Sequence, residues 1–139
     1  MIVEVIIAAI AAFAFGAVWY MSPIGKVWMN NKIWLDNENP RWRSGKYMAM
    51  MYSTSIVLTA VIAYVLDVIY QILGLATLSE HLHVTWLLCF GFVITTKFSD
   101  MIFTNTPPFF GKRAQIVFLI DAGYNIGIFT IMALVLYFL

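Results

Sequence analysis

Charged residues are scarce in this chain: 11% of 139 residues, against roughly 25% in soluble domains. So little charge cannot clothe a water-facing surface, and a soluble globular domain is excluded. Cysteine is nearly absent as well. Cys89 stands alone among apolar residues, which rules out an internal disulfide and reads as a small hydrophobe. Also missing are a Walker loop, a dinucleotide fingerprint and a Gly-x-Ser-x-Gly turn, and with them those routes to nucleotide or hydrolase chemistry. The N-terminus has no basic stretch ahead of its apolar run and carries Glu4 instead. The first segment is therefore expected to be retained rather than cleaved as a signal peptide.

What is abundant is apolar sequence, 63% of the chain, gathered in runs long enough to cross a bilayer, which takes about 20 residues each. Residues 5–21, 47–66 and 122–139 carry no charge. The expected architecture is all-α: one transmembrane domain over 1–139, an integral membrane four-helix bundle with spans at about 2–22, 47–73, 82–104 and 114–139. Of the eight Lys and Arg residues, Lys26, Lys32, Arg41, Arg43 and Lys46 lie between the first two spans, and Lys112 and Arg113 between the last two. Only Lys97 lies within a span. The positive-inside rule makes both basic loops cytoplasmic and both termini external. A plasma or inner membrane is the expected location, with an organelle membrane as the alternative. The basic residues need no nucleic acid to explain them.

The chain offers two kinds of helix contact. Ala8, Ala12 and Gly16 recur four apart in the first span, and Gly123 and Gly127 form a GxxxG pair in the fourth; such small-residue stripes let helices approach closely in lipid. The two glycines lie 200–240° from Asp121 around their helix, so the fourth span is expected to have two protein-facing sides. Trp19 and Tyr20 mark a membrane interface, and Pro23 and Gly25 are expected to end the first helix. Residues 23–46 read as a Trp-rich interfacial loop, in which Trp28, Trp34 and Trp42 serve as anchors at the membrane surface.

Polar groups inside the spans need partners. The tandem Pro107–Pro108 makes residues 105–113 the turn of a helical hairpin. In such a hairpin Lys97 and Asp121 fall at about the same depth, with Asp100 and Asn125 one turn from each. An unpaired Lys near the bilayer centre costs at least ~2.5–3.5 kcal/mol. Lys97 and Asp121 are therefore expected to pair, with Asp100 competing, in an intramembrane cluster that includes Asn125. Asp67 sits near the outer end of the second span beside Tyr64, Tyr70 and Gln71 and is expected to be partly hydrated. Thr77-Leu-Ser-Glu80 fits a capping box at the start of the third helix. Glu80-His-Leu-His83 invites a metal reading, but the second copy and further glutamates of a di-iron bundle are missing. No metal and no cofactor are expected.

Gly16-Ala-Val-Trp-Tyr20 followed by Ser22-Pro-Ile-Gly-Lys-Val-Trp-Met29 resembles the opening signature of a family of small four-span membrane proteins, domain of unknown function seventeen-sixty-one. Gly91-Phe-Val-Ile-Thr-Thr96 and Ile120-Asp-Ala-Gly-Tyr124 resemble its later segments. The chain departs from that pattern at Ile24, at Asn125 and across residues 30–46. The resemblance implies a four-helix membrane fold and supplies no activity or catalytic residues.

Three classes of function follow. A structural or accessory membrane subunit requires only the small-residue faces and a structural ion pair. An oligomeric channel or transporter for an ion or small solute would route it along the Lys97–Asp121 cluster. A membrane enzyme ranks last, because no nucleophile–base pair or metal constellation is visible. The expected partners are the bilayer and, in a homo-oligomer or membrane complex, other membrane chains.

Overall fold

The computed structural model describes residues 2–36, 45–103 and 111–139. These form five helices and, among the described residues, no strand. They are α1 (Ile2–Met21), α2 (Pro23–Asp36), α3 (Gly45–Leu73), α4 (Leu78–Ile102) and α5 (Lys112–Phe138). All but α2 are long and apolar enough to span a membrane. Trp42 and the Pro107–Pro108 turn lie outside the described residues, as does the side chain of Trp34.

Two local devices set the helix ends. Thr77 caps α4 by accepting from Glu80 N–H at 3.3 Å, while the Glu80 carboxylate accepts from the N–H groups of Ala76 and Thr77 at 2.9 Å. The expected capping box is present, and it starts α4 at Leu78. Gly74, at φ 62°, makes the preceding turn, a left-handed conformation that costs glycine no Cβ clash. At the other end of the bundle, Ser22 separates α1 from α2. Its hydroxyl donates to the Trp19 carbonyl and accepts from Ile24 N–H at 3.2 Å, and Pro23 takes the first helical position. Residues 23–36 are therefore a helix rather than a loop, because one serine both closes α1 and caps α2.

The bundle is built around α5, which packs against α1, α2 and α4. α3 packs mainly on α1. The core joins Ala8 and Ala12 of α1, both fully buried, to Ala63, Leu66 and Tyr70 of α3, Cys89 of α4 and Ile128, Phe129 and Met132 of α5. Ala8 and Ala12 thus face protein, and the lack of side-chain bulk there brings α1 close to its neighbours. Residues 49–58 of α3 are exposed on every side. The hydroxyls of Ser53 and Thr54 turn back on the carbonyls of Ala49 and Met50, which satisfies them in a lipid setting.

α4 contains a π-helical segment, Cys89–Ile94. Above it, Thr85 is buried and donates to the His81 carbonyl at 2.6 Å, and Tyr70 of α3 bonds the same hydroxyl. His81 Nδ1 lies 2.8 Å from the Thr77 carbonyl. A carbonyl can only accept, so Nδ1 carries the proton. The His81 ring stands edge-on between Tyr70 and Tyr137, at 4.5 and 5.3 Å. This ladder ties α3, α4 and α5 at the end opposite α2. Asp67, part-buried, accepts from Gln71 Nε2 at 2.9 Å.

Candidate functional site

Asp121 is the centre of the other end, and its partners come from α1 and α2. Tyr20 OH donates to Asp121 Oδ1 at 2.9 Å, and Trp28 Nε1 donates to the same oxygen at 2.7 Å. Asn125 Nδ2 donates to the Asp121 backbone carbonyl at 2.7 Å. Bonds of neutral donors to an ionised carboxylate are each worth about 1.5–3 kcal/mol. One side chain of α5 therefore holds the last turn of α1 and the second turn of α2 together. Trp28 thus latches α2 to α5.

The aromatic groups around it interlock. Tyr20 packs at 5.2 Å against Trp28 and at 5.1 Å against Tyr124. Tyr124 also stacks on Phe15 at 6.4 Å, with the rings 6° from parallel. α1 straddles Tyr124: Tyr20 reaches the Asp121 side, while Phe15 and Trp19 reach the glycine side of α5. A Cβ on Gly123 would come within 3.2 Å of the Trp19 ring, and one on Gly127 within 2.5 Å of Phe15 Cζ. A Cβ on Gly16 would meet Tyr124 at 3.0 Å. These glycines are sockets for aromatic side chains of the opposite helix, rather than flat strips on which two backbones lie. Trp19 Nε1, which the sequence assigned to the interface, is sequestered and has no partner among the described residues.

The sequence-derived cluster comes apart here. Lys97 and Asp121 are only part-buried, Asp100 is exposed, and no Lys97–Asp121 ion pair is found among the described residues. The physical reason is rotational. Depth along the hairpin was judged well enough, since Phe98 meets Phe118 and Trp86 Nε1 donates to Thr130 at 3.1 Å. Asp121, however, points around α5 toward α1 and α2, away from the α4 side. Each helix then answers for its own charge. Lys97→Met and Asp121→Leu should consequently give additive changes in thermal stability, within about 0.5 kcal/mol. Recovery of the Asp121→Leu loss in the double variant would restore the ion pair as the organising contact.

The residues thus brought together, Trp19, Tyr20, Ser22, Gly25, Trp28, Asp121, Gly123 and Tyr124, come from distant parts of the chain. The sequence signal that held them was the set of family-like motifs, Gly16 to Tyr20, Ser22 to Met29 and Ile120 to Tyr124, which contains all eight. No His, Cys, Asp and Glu group of three that could hold a metal occurs among the described residues. The arrangement defines an all-helical protein with four membrane-span helices, closed at one end by an aromatic–carboxylate latch.

The family described as "Protein of unknown function (DUF1761)" matches residues 3–137, and the chain belongs to it. No curated protein matches the sequence. No solved structure matches it either.

Proposed function

We propose that this chain is a non-catalytic integral membrane protein, a structural or accessory subunit that works by presenting a fixed shape to a homo-oligomer or membrane complex. The observation that carries this reading is the latch: Tyr20 and Trp28 both donate to Asp121. The polar signature residues bond one another within a single chain and fix three helices, as a scaffold requires. The all-round exposure of residues 49–58 in α3 leaves that half-helix open to lipid or to a neighbouring chain.

Orientation belongs to the same proposal. With the basic end of the bundle cytoplasmic and both termini outside, the protein sits in a plasma or inner membrane. Lys26 is exposed on α2 and Cys89 is buried. A cysteine introduced at Lys26 should therefore resist an impermeant thiol reagent in intact cells and react after permeabilisation. Labelling from outside alone would reverse the topology.

The latch is tested by a double-mutant cycle. Tyr20→Phe and Trp28→Phe should each lower stability by about 1.5–3 kcal/mol in detergent. Their effects should couple, because both donors serve one oxygen. Function is separated from stability by flux. Liposomes containing the wild type should leak ions and small solutes no faster than empty ones; flux that Asp121→Asn abolishes would make the protein a transporter instead.

A further inference from the structure

We propose that Asp121 and Asn125 together bind a protonated primary amine at the depth of the lipid headgroups. The latch geometry prepares the site, so the proposal rests on it. Both donors, Tyr20 OH and Trp28 Nε1, converge on Asp121 Oδ1. Among the described residues Oδ2 accepts no hydrogen bond, and no basic side chain pairs with the carboxylate. Nor is Oδ2 sequestered: the one buried side-chain polar atom without a partner among the described residues is Trp19 Nε1, and Asp121 is only part-buried.

One turn further along α5, Asn125 adds a second acceptor. Its Nδ2 donates to the Asp121 carbonyl, which can only accept, and this fixes which way the amide faces. Asn125 Oδ1 is thereby left as an acceptor on the same face of the helix as Asp121 Oδ2. Two acceptors, one of them anionic, call for a cation that carries several N–H donors. The rings of Tyr20, Trp28 and Tyr124 pack on one another, and Tyr20 and Trp28 turn their O–H and N–H edges to Oδ1, which leaves Oδ2 as the acceptor open to an incoming N–H donor. A hard divalent cation such as calcium would want six or more oxygens, and among the described residues Asp121 Oδ2 and Asn125 Oδ1 are the two side-chain oxygens left free here. Tyr20 lies in the last turn of α1, one residue from the end of that span, so the site is at the membrane–water boundary. The amine comes either from an ethanolamine lipid headgroup or from a free amine in solution.

The test uses the full chain, purified and lipid-depleted in detergent. Native mass spectrometry counts bound phosphatidylethanolamine against phosphatidylcholine of the same acyl chains, and calorimetry follows ethanolamine. Asp121→Asn keeps an acceptor for Tyr20 and Trp28 but turns Oδ2 into an N–H donor. Asn125→Leu leaves the Asp121 carboxylate and both its donors in place. One ethanolamine lipid should bind at least tenfold more tightly than the choline lipid, and each variant should abolish that preference. Ethanolamine binding that both variants abolish, without any lipid preference, would assign the site to a free amine. Should Asp121→Asn unfold, Asn125→Leu decides alone. Amine binding that is absent, or unchanged in the variants, overturns the proposal. The latch is read separately, by the early melting of Tyr20→Phe, so failure of the amine site is distinguishable from failure of the latch.

Discussion

Gly25→Ala should be the most damaging single-methyl change in the chain. A Cβ at this position would overlap the carbonyl oxygen of Tyr20 and approach Tyr20 Cα to 2.8 Å. Those are backbone atoms of the last turn of α1, so no side chain can swing aside to make room. α2 folds back this tightly because Gly25 N–H bonds the Ser22 carbonyl at 3.0 Å, immediately after the serine cap. Adding the methyl group forces α2 away from α1, and Trp28, three residues on, then loses its reach to Asp121. The expected loss is about 3 kcal/mol or more, at the upper end of overpacking effects. It should appear as a large fall in melting temperature in detergent, together with a change in Trp fluorescence as Trp28 leaves the carboxylate. A variant that melts within a degree or two of the wild type would show that the α1–α2 corner is not rigid.

Gly127→Leu is the second large effect, and it comes with its own control. The socket at Gly127 is filled by Phe15, whose ring a Cβ would enter. A leucine there must expel the ring and, with it, the stack of Phe15 on Tyr124 and its packing against Trp19. The cost should be about 2–3 kcal/mol, an overpacking penalty. Phe15→Ala alone should cost less than the ~3–5 kcal/mol of a fully buried ring, because Phe15 is only partly buried. Combining the two places new volume where volume was lost, and the double variant should be more stable than either loss summed would allow. Additive losses, read by thermal unfolding, would show that Phe15 and Gly127 do not share a socket. An unchanged melting curve for Gly127→Leu would mean that this side of α5 faces lipid.

Much of the frame was legible from residues alone. The apolar runs identify α1, α3, α4 and α5, because a helix in lipid must satisfy its own backbone and needs a minimum length to cross. The Thr77–Glu80 box was readable because capping is a local interaction, complete within four residues. Ala8 and Ala12 were readable as a protein-facing stripe for the same reason: small residues four apart share a face. The family signature was legible as a set of residues, though not as a set of contacts.

α2 was missed because its apolar residues point in several directions, so periodicity gave no helix. It folds against α1 and α5 on both flanks, where an amphipathic pattern is not required. Lys97 was assigned to Asp121 because depth along a hairpin follows from counting residues from the turn. Rotation about the helix axis does not follow from counting. It depends on how α1 crosses α5 at Tyr124, and a small angular change there moves a carboxylate from one neighbour to another.

The sequence by itself determined the helical class, the number of apolar spans, the Thr77–Glu80 cap and the presence of a carboxylate within a span segment that must find partners. These follow from hydrophobicity, spacing and covalent geometry, which act within a few residues. Only the tertiary structure decided which partners Asp121 takes, because Tyr20 and Trp28 lie 101 and 93 residues away along the chain. That choice is made by packing: Gly16, Gly123 and Gly127 receive aromatic rings, and the fit of those rings sets the rotation that points Asp121 at α1 and α2.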